Sequence, residues 1–154
     1  VTQAGPVYLD ANIFIATFEG APGQALSREL GQLFAQAAAG RLMLATSALT
    51  LSEILVRPIA LRHETLTRRY LQMFRVGLPW LNIYPIDQDI LIRAAAIRAE
   101  RRMKLPDALH VATALEHRVA RFLTADMGIG SQDGLDVLRP TPEVLLSLTK
   151  GSVA

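Results

Sequence analysis

"VYLDANIFIATF", residues 7–18, joins two apolar runs through a single acid, Asp10, and no second charge follows until Glu19. Val7 to Leu9 has the length and character of a short buried strand, and residues 11–18 open as a helix for which Asp is a favoured cap. A carboxylate at such a junction is either a cap or a piece of chemistry. The rest of the chain decides between the two.

Working outward, residues 23–39 place Leu26, Leu30, Leu33, Phe34 and Ala37 at helical spacing and stop at Gly40. "RLMLATS" (41–47) reads as a second strand, and "ALTLSEILVR" (48–57) as a helix that Pro58 is expected to end. A further helix is expected from about Ile59 to Val76, then a strand in "LNIYPI" (81–86). Helices follow over Asp87–Met103 and from Leu105, the latter with Pro106 in its first turn. "RFLTAD" (121–126) and "LDVLRP" (135–140) complete the strands, and "TPEVLLSLT" (141–149) reads as a terminal helix. Short apolar strands alternating with helices predict an α/β fold, a three-layer α/β/α sandwich around a mainly parallel sheet of about five strands. Sites in such sheets lie beyond the C-terminal ends of the strands, where Asp10 and Asp126 both fall.

The 154 residues, 51% hydrophobic, suit one domain spanning residues 1–154. No cysteine is present, which excludes disulfides and thiolate metal sites, and the three histidines are too scattered for zinc. No apolar stretch approaches the roughly 18 residues of a membrane span, and the N-terminus lacks the charged region of a signal peptide. A soluble, cytoplasmic protein is expected. The net charge of +2 hides an asymmetry, because ten Lys or Arg face four Asp or Glu between Arg57 and Lys104. Such a stretch is either a solvated helix face or a surface for a polyanion.

Four acids sit in strongly apolar surroundings: Asp10, Glu53, Asp107 and Asp126. Each has a structural explanation by itself. Asp10 can cap, Asp107 can favour a helix N-terminus, Asp126 can hold a turn, and Glu53 can pair with Arg57 four residues on. Together they fall at strand ends and helix starts that one sheet edge gathers, and clustered carboxylates repel unless a divalent cation supplies positive charge. An all-oxygen set suits Mg²⁺ or Mn²⁺, and the chemistry expected is metal-assisted phosphodiester hydrolysis with water as nucleophile.

These motifs follow one another as hydrophobic-Asp-x-Asn, Ser/Thr-x-x-Thr-x-x-Glu, Asp-Ala-x-His-x-Ala-x-Ala and Leu-Thr-x-Asp. In that order the chain resembles the PIN-domain family, and within it the VapC-like toxins of toxin–antitoxin pairs. The resemblance implies a three-layer α/β/α fold and an Mg²⁺- or Mn²⁺-dependent ribonuclease. It puts Asp10, Glu53, Asp107 and Asp126 at the metal, with Asn12, Thr124 and Ser47 in support. It also implies a homodimer, a VapB-like antitoxin and an RNA substrate. Arg57, Arg62, Arg68, Arg69, Arg101 and Arg102 are candidates for phosphate contacts that position RNA without reading its sequence.

His110, one turn beyond Asp107, reads as a packing residue with a phosphate contact as the sharper alternative. Trp80 reads as a core or dimer residue, and Asp133 and Asp136 as polar-turn residues or outer carboxylates. A phosphatase of the haloacid dehalogenase type would need a second Asp where Asn12 stands. A dinucleotide-binding domain would need glycines after the first strand. A PIN-like scaffold that binds without cutting is the non-enzymatic rival, against which the four acids argue.

Overall fold

A computed structural model of the chain describes residues 5–20 and 26–150. Among these residues the strands are β1 (Val7–Leu9), β2 (Leu44–Ser47), β3 (Leu81–Tyr84), β4 (Arg121–Leu123) and β5 (Asp136–Leu138). The helices are α1 (Ala11–Glu19), α2 (Ser27–Ala38), α3 (Leu49–Ala60), α4 (Glu64–Arg75), α5 (Gln88–Arg101), α6 (Leu105–Glu116) and α7 (Pro142–Lys150). The strands form one sheet in the order β3-β2-β1-β4-β5, and every pairing is parallel. Helices cover both faces, as the α/β reading requires.

Local chemistry sets most of the boundaries. Asp87 caps α5 by accepting a hydrogen bond from the Ile90 amide at 3.0 Å, and Pro106 lies in the first turn of α6, where its missing N–H costs nothing. After α2, Gly40 takes φ +74° while its amide donates to Ala37 O and that of Arg41 to Gln36 O, the paired closure that a left-handed residue permits. The start of the helix expected over residues 23–39 lies in part outside the described residues.

Pro58 departs from expectation: α3 runs through it to Ala60, and the next helix begins at Glu64 rather than near Ile59. Proline is tolerable there because it stands in the last turn and its ring is buried. The turn closes when Arg62, at φ 53°, donates to Ile59 O and the His63 amide reaches back to Pro58 O at 2.8 Å. His63 then caps α4 through Nδ1, which accepts from the Leu66 amide.

Strand alternation divides the core. Val7, Leu9, Leu44, Leu81 and Leu123 point to one face, where Ile13, Phe14, Leu33, Ile54, Tyr70 and Leu145 pack on them. Tyr8, Ala45 and Phe122 point to the other, under Ile90, Ala94, Val111 and Ala112 of the α5–α6 pair. Each fully buried Leu or Phe contributes about 1.5–3 kcal/mol. Trp80 is a core-edge residue, its ring edge-on to Phe34 at 6.1 Å.

The chain leaves β1 toward β2 on one side and β4 toward β5 on the other, so the order reverses between β1 and β4. The crevice beyond their C-terminal ends is where an open α/β sheet offers a site. No described helix is long and apolar enough to cross a membrane.

Candidate metal centre

Asp10 follows β1 directly and is 6% exposed. It does cap α1, with Oδ1 accepting from the Ala11 amide at 2.7 Å. Its other oxygen, Oδ2, accepts from Thr124 Oγ1 at 2.6 Å and from Asn12 Nδ2 at 3.0 Å. Asn12 bridges the two strand ends: Nδ2 also donates to Thr124 Oγ1 at 3.1 Å, while Oδ1 accepts from the Ala125 amide at 3.0 Å. Thr124 in turn accepts from the Asp126 amide at 2.9 Å, tying the acid after β4 to the acid after β1.

Glu53 arrives from α3, half-buried, and Oε2 lies 2.6 Å from His110 Nε2 on α6. The same nitrogen is 3.6 Å from Asp10 Oδ1. Tyr8 stands behind the ring, its hydroxyl 2.8 Å from His110 Nδ1. Among the described residues, Asp10, Glu53 and His110 form the group whose possible ligand atoms all lie within 4.8 Å of one another.

Asp107 and Asp126 stand outside that group but within its electrostatic reach. Asp107 is pushed above the usual carboxylate range, first by desolvation and then by the charges of Asp126 and Asp10, with His110 and Lys104 acting in the opposite direction. Asp126 lies three residues beyond β4, exposed, with Oδ1 accepting from the Gly128 amide at 2.7 Å. Arg139 fastens this turn: its guanidinium donates to the carbonyls of Asp126 at 2.6 Å, Thr124 at 3.3 Å and Ile129. The donor set fits a hard divalent cation, because the carboxylates of Asp10 and Glu53 converge within 4.8 Å and offer oxygen ligands.

Several sequence expectations change. Glu53 does not pair with Arg57: its partner is His110, and Arg57 instead reaches Glu19 at 3.8 Å, 72% exposed. His110 is buried and hydrogen-bonded, as a packing residue would be, yet its Nε2 faces the acids rather than a solvent-side phosphate. Ser47 is buried and accepts from the Leu49 amide, and its hydroxyl faces Tyr8 rather than the acids. Asp136 is in register with Arg121, at the N-terminal end of the strands and so opposite the site, and Asp133 is exposed in the turn before β5. Neither is an outer carboxylate. Tyr8 and Arg139 were not legible as site residues, although parity along β1 already puts Tyr8 and Asp10 on one side of the strand.

The six arginines proposed for phosphate contact are exposed: Arg57, Arg62, Arg68 and Arg69 along the α3–α4 hairpin, and Arg101 and Arg102 at the end of α5. A groove of about 360 Å³ lies between the end of α1 and that hairpin, lined by Phe18, Pro58, Leu61 and Leu66 and edged by Arg57 and Arg69.

Comparison with known proteins agrees with this architecture. No curated protein matches the sequence significantly. Among solved structures, a toxin–antitoxin complex from Klebsiella pneumoniae contains a chain 32% identical, with 87% of this chain and 97% of that one covered and a TM-score of 0.63. VapBC2 from Rickettsia felis, bound to a DNA fragment from its promoter, matches at 16% identity over 88% of this chain and 98% of that one, with a TM-score of 0.66, a likeness of fold. Residues 7–134 match the PIN domain, a span from β1 to the turn before β5 that takes in Asp10, Glu53, Asp107 and Asp126, and the chain therefore belongs to the PIN-domain family.

Proposed function

We propose that the chain is a metal-dependent endoribonuclease and the toxin of a VapBC-type toxin–antitoxin pair, acting in the cytoplasm as one domain over residues 1–154. The observation that carries the nuclease reading is the convergence of the Asp10 and Glu53 carboxylates within 4.8 Å at the β1/β4 crevice, with Asp107 near enough to feel the charges of Asp10 and Asp126. The toxin reading is supported by likeness to a chain of the Klebsiella toxin–antitoxin complex.

Asp10, Glu53, Asp107 and Asp126 would hold Mg²⁺ or Mn²⁺. A bound divalent ion would lower the pKa of a water and neutralise charge on the phosphate. The protein's own part is preorganisation. Asn12 and Thr124 hold Asp10 so that its outer oxygen need not reorient on binding, and Arg139 holds the backbone that carries Asp126. The arginines of α3–α4 and of the α5–α6 turn would bind the RNA backbone. The apolar groove beside α1 suits a VapB-like antitoxin segment, and the exposed Val56 and Ile59 of α3 suit a homodimer contact.

Purified protein is expected to cleave RNA in Mg²⁺ or Mn²⁺, to stop in EDTA, and to lose at least a hundredfold of its rate in Asp10→Asn and Asp107→Asn with circular dichroism unchanged. Equal cleavage in EDTA or by those folded variants would overturn the reading.

A further inference from the structure

Tyr8 and His110 place a phenol and an imidazole, both buried, directly behind the acids. The ring has little freedom: Tyr8 stacks on Phe122 at 4.9 Å and 12°, and meets His110 edge-on at 5.9 Å and 73°. At 2.6 Å from Glu53 Oε2, a bare Nε2 would set its lone pair against that of a carboxylate. The hydrogen therefore sits on Nε2 and points at the acids. Tyr8 completes the arrangement from the other end, since its hydroxyl can donate to a bare Nδ1 at 2.8 Å.

A nitrogen that donates to Glu53 has no lone pair to give to an ion. Ligation by His110 would require the other tautomer, with Nδ1–H donating to Tyr8 and Glu53 turned away. We infer that His110 is a positioning residue and not a metal ligand: with its Nε2 hydrogen directed at Glu53 and its Nδ1 met by Tyr8, it pins the Glu53 carboxylate beside Asp10 and thereby sets the affinity of the site for divalent ions. Hydrogen bonds behind a metal's ligands govern affinity in this way, commonly by ten- to a hundredfold. The inference rests on the proposed metal centre, and its test separates the two.

In the metal-free protein, long-range ¹H–¹⁵N correlation of His110 is expected to show hydrogen on Nε2; a bare Nε2 with hydrogen on Nδ1 would overturn the inference. Mn²⁺ titrated into the full chain and followed by electron paramagnetic resonance is expected to bind without a directly coordinated nitrogen in pulsed spectra. An imidazole nitrogen on bound Mn²⁺ would overturn the positioning role while leaving the metal centre standing, whereas no Mn²⁺ binding by the wild type would overturn both. Tyr8→Phe and His110→Ala are expected to weaken Mn²⁺ binding about tenfold or more, and His110→Gln, which keeps an N–H near Nε2, to recover part of the loss. Thermal unfolding identifies any variant that fails to fold. Unchanged Mn²⁺ affinity in the folded variants would overturn the inference.

Discussion

At Asn12 a single atom decides which chemistry the crevice supports. One end of the amide must donate, to Asp10 and Thr124, and the other must accept, from the Ala125 amide. A carboxylate accepts at both ends and would face Asp10 Oδ2 with no proton between them. Asn12→Asp is therefore expected to lower stability by about 1–3 kcal/mol at neutral pH, read from the urea midpoint at constant m-value. Asp107 gives the opposite sign. Its folded-state pKa is raised, so ionising it opposes folding: the penalty is absent below the unfolded carboxylate pKa of about 4 and complete once pH exceeds the folded value. The metal-free Asp107→Asn variant should melt above wild type at pH 7, and the gap should close as pH falls toward 4. A variant that melts lower at pH 7 would show that Asp107 is better satisfied than its neighbours imply.

At the scale of elements, the α3–α4 hairpin shows how tertiary contacts override local rules. Proline should end α3 at residue 57, but its buried ring and the closing bonds of residues 62 and 63 carry the helix onward. The closure uses Arg62 in a left-handed conformation that ordinarily calls for glycine. Keeping an arginine at such a cost fits a residue retained for its charge. Arg62→Gly is expected to raise stability by roughly 0.5–1 kcal/mol while weakening RNA binding, measured by thermal unfolding and filter retention of labelled RNA. Where local and tertiary preferences agree, as in the Gly40 stop of α2 and the Asp87 cap of α5, the boundary follows the sequence closely.

Over the whole molecule the basic segment is shared between the two faces of the sheet, α4 packing on one through Tyr70 and α5 on the other through Ile90 and Ala94. The segment from Arg57 to Lys104, with its excess of basic residues, supplies the end of α3, α4 and α5, whereas the four acids come from four separate stretches of chain. Exposed arginines such as Arg68 and Arg69 suit contacts to the backbone of a polyanion. RNA affinity of the inactive Asp10→Asn protein should fall linearly with log salt, and replacing Arg68 and Arg69 together by Ala should reduce that slope by about 1.4, near 0.7 per lost phosphate contact on a single strand. An unchanged slope would remove those two residues from the RNA path.

The sequence by itself determined the layers and the strands, and it singled out the four acids as candidates. Alternation and helical spacing are local properties, and a carboxylate in an apolar run stands out without a neighbour. What only the tertiary structure decided is who meets whom. His110 is fifty-seven residues from Glu53 and one hundred and two from Tyr8, and no local pattern couples them. Arg139 clasps carbonyls up to fifteen residues earlier, and Asp136 is carried to the far end of the sheet by the parallel register of β5 with β4. Strand order brings the ends of β1 and β4 together, and hydrogen bonds and charge interactions act only across the few ångströms that this proximity creates.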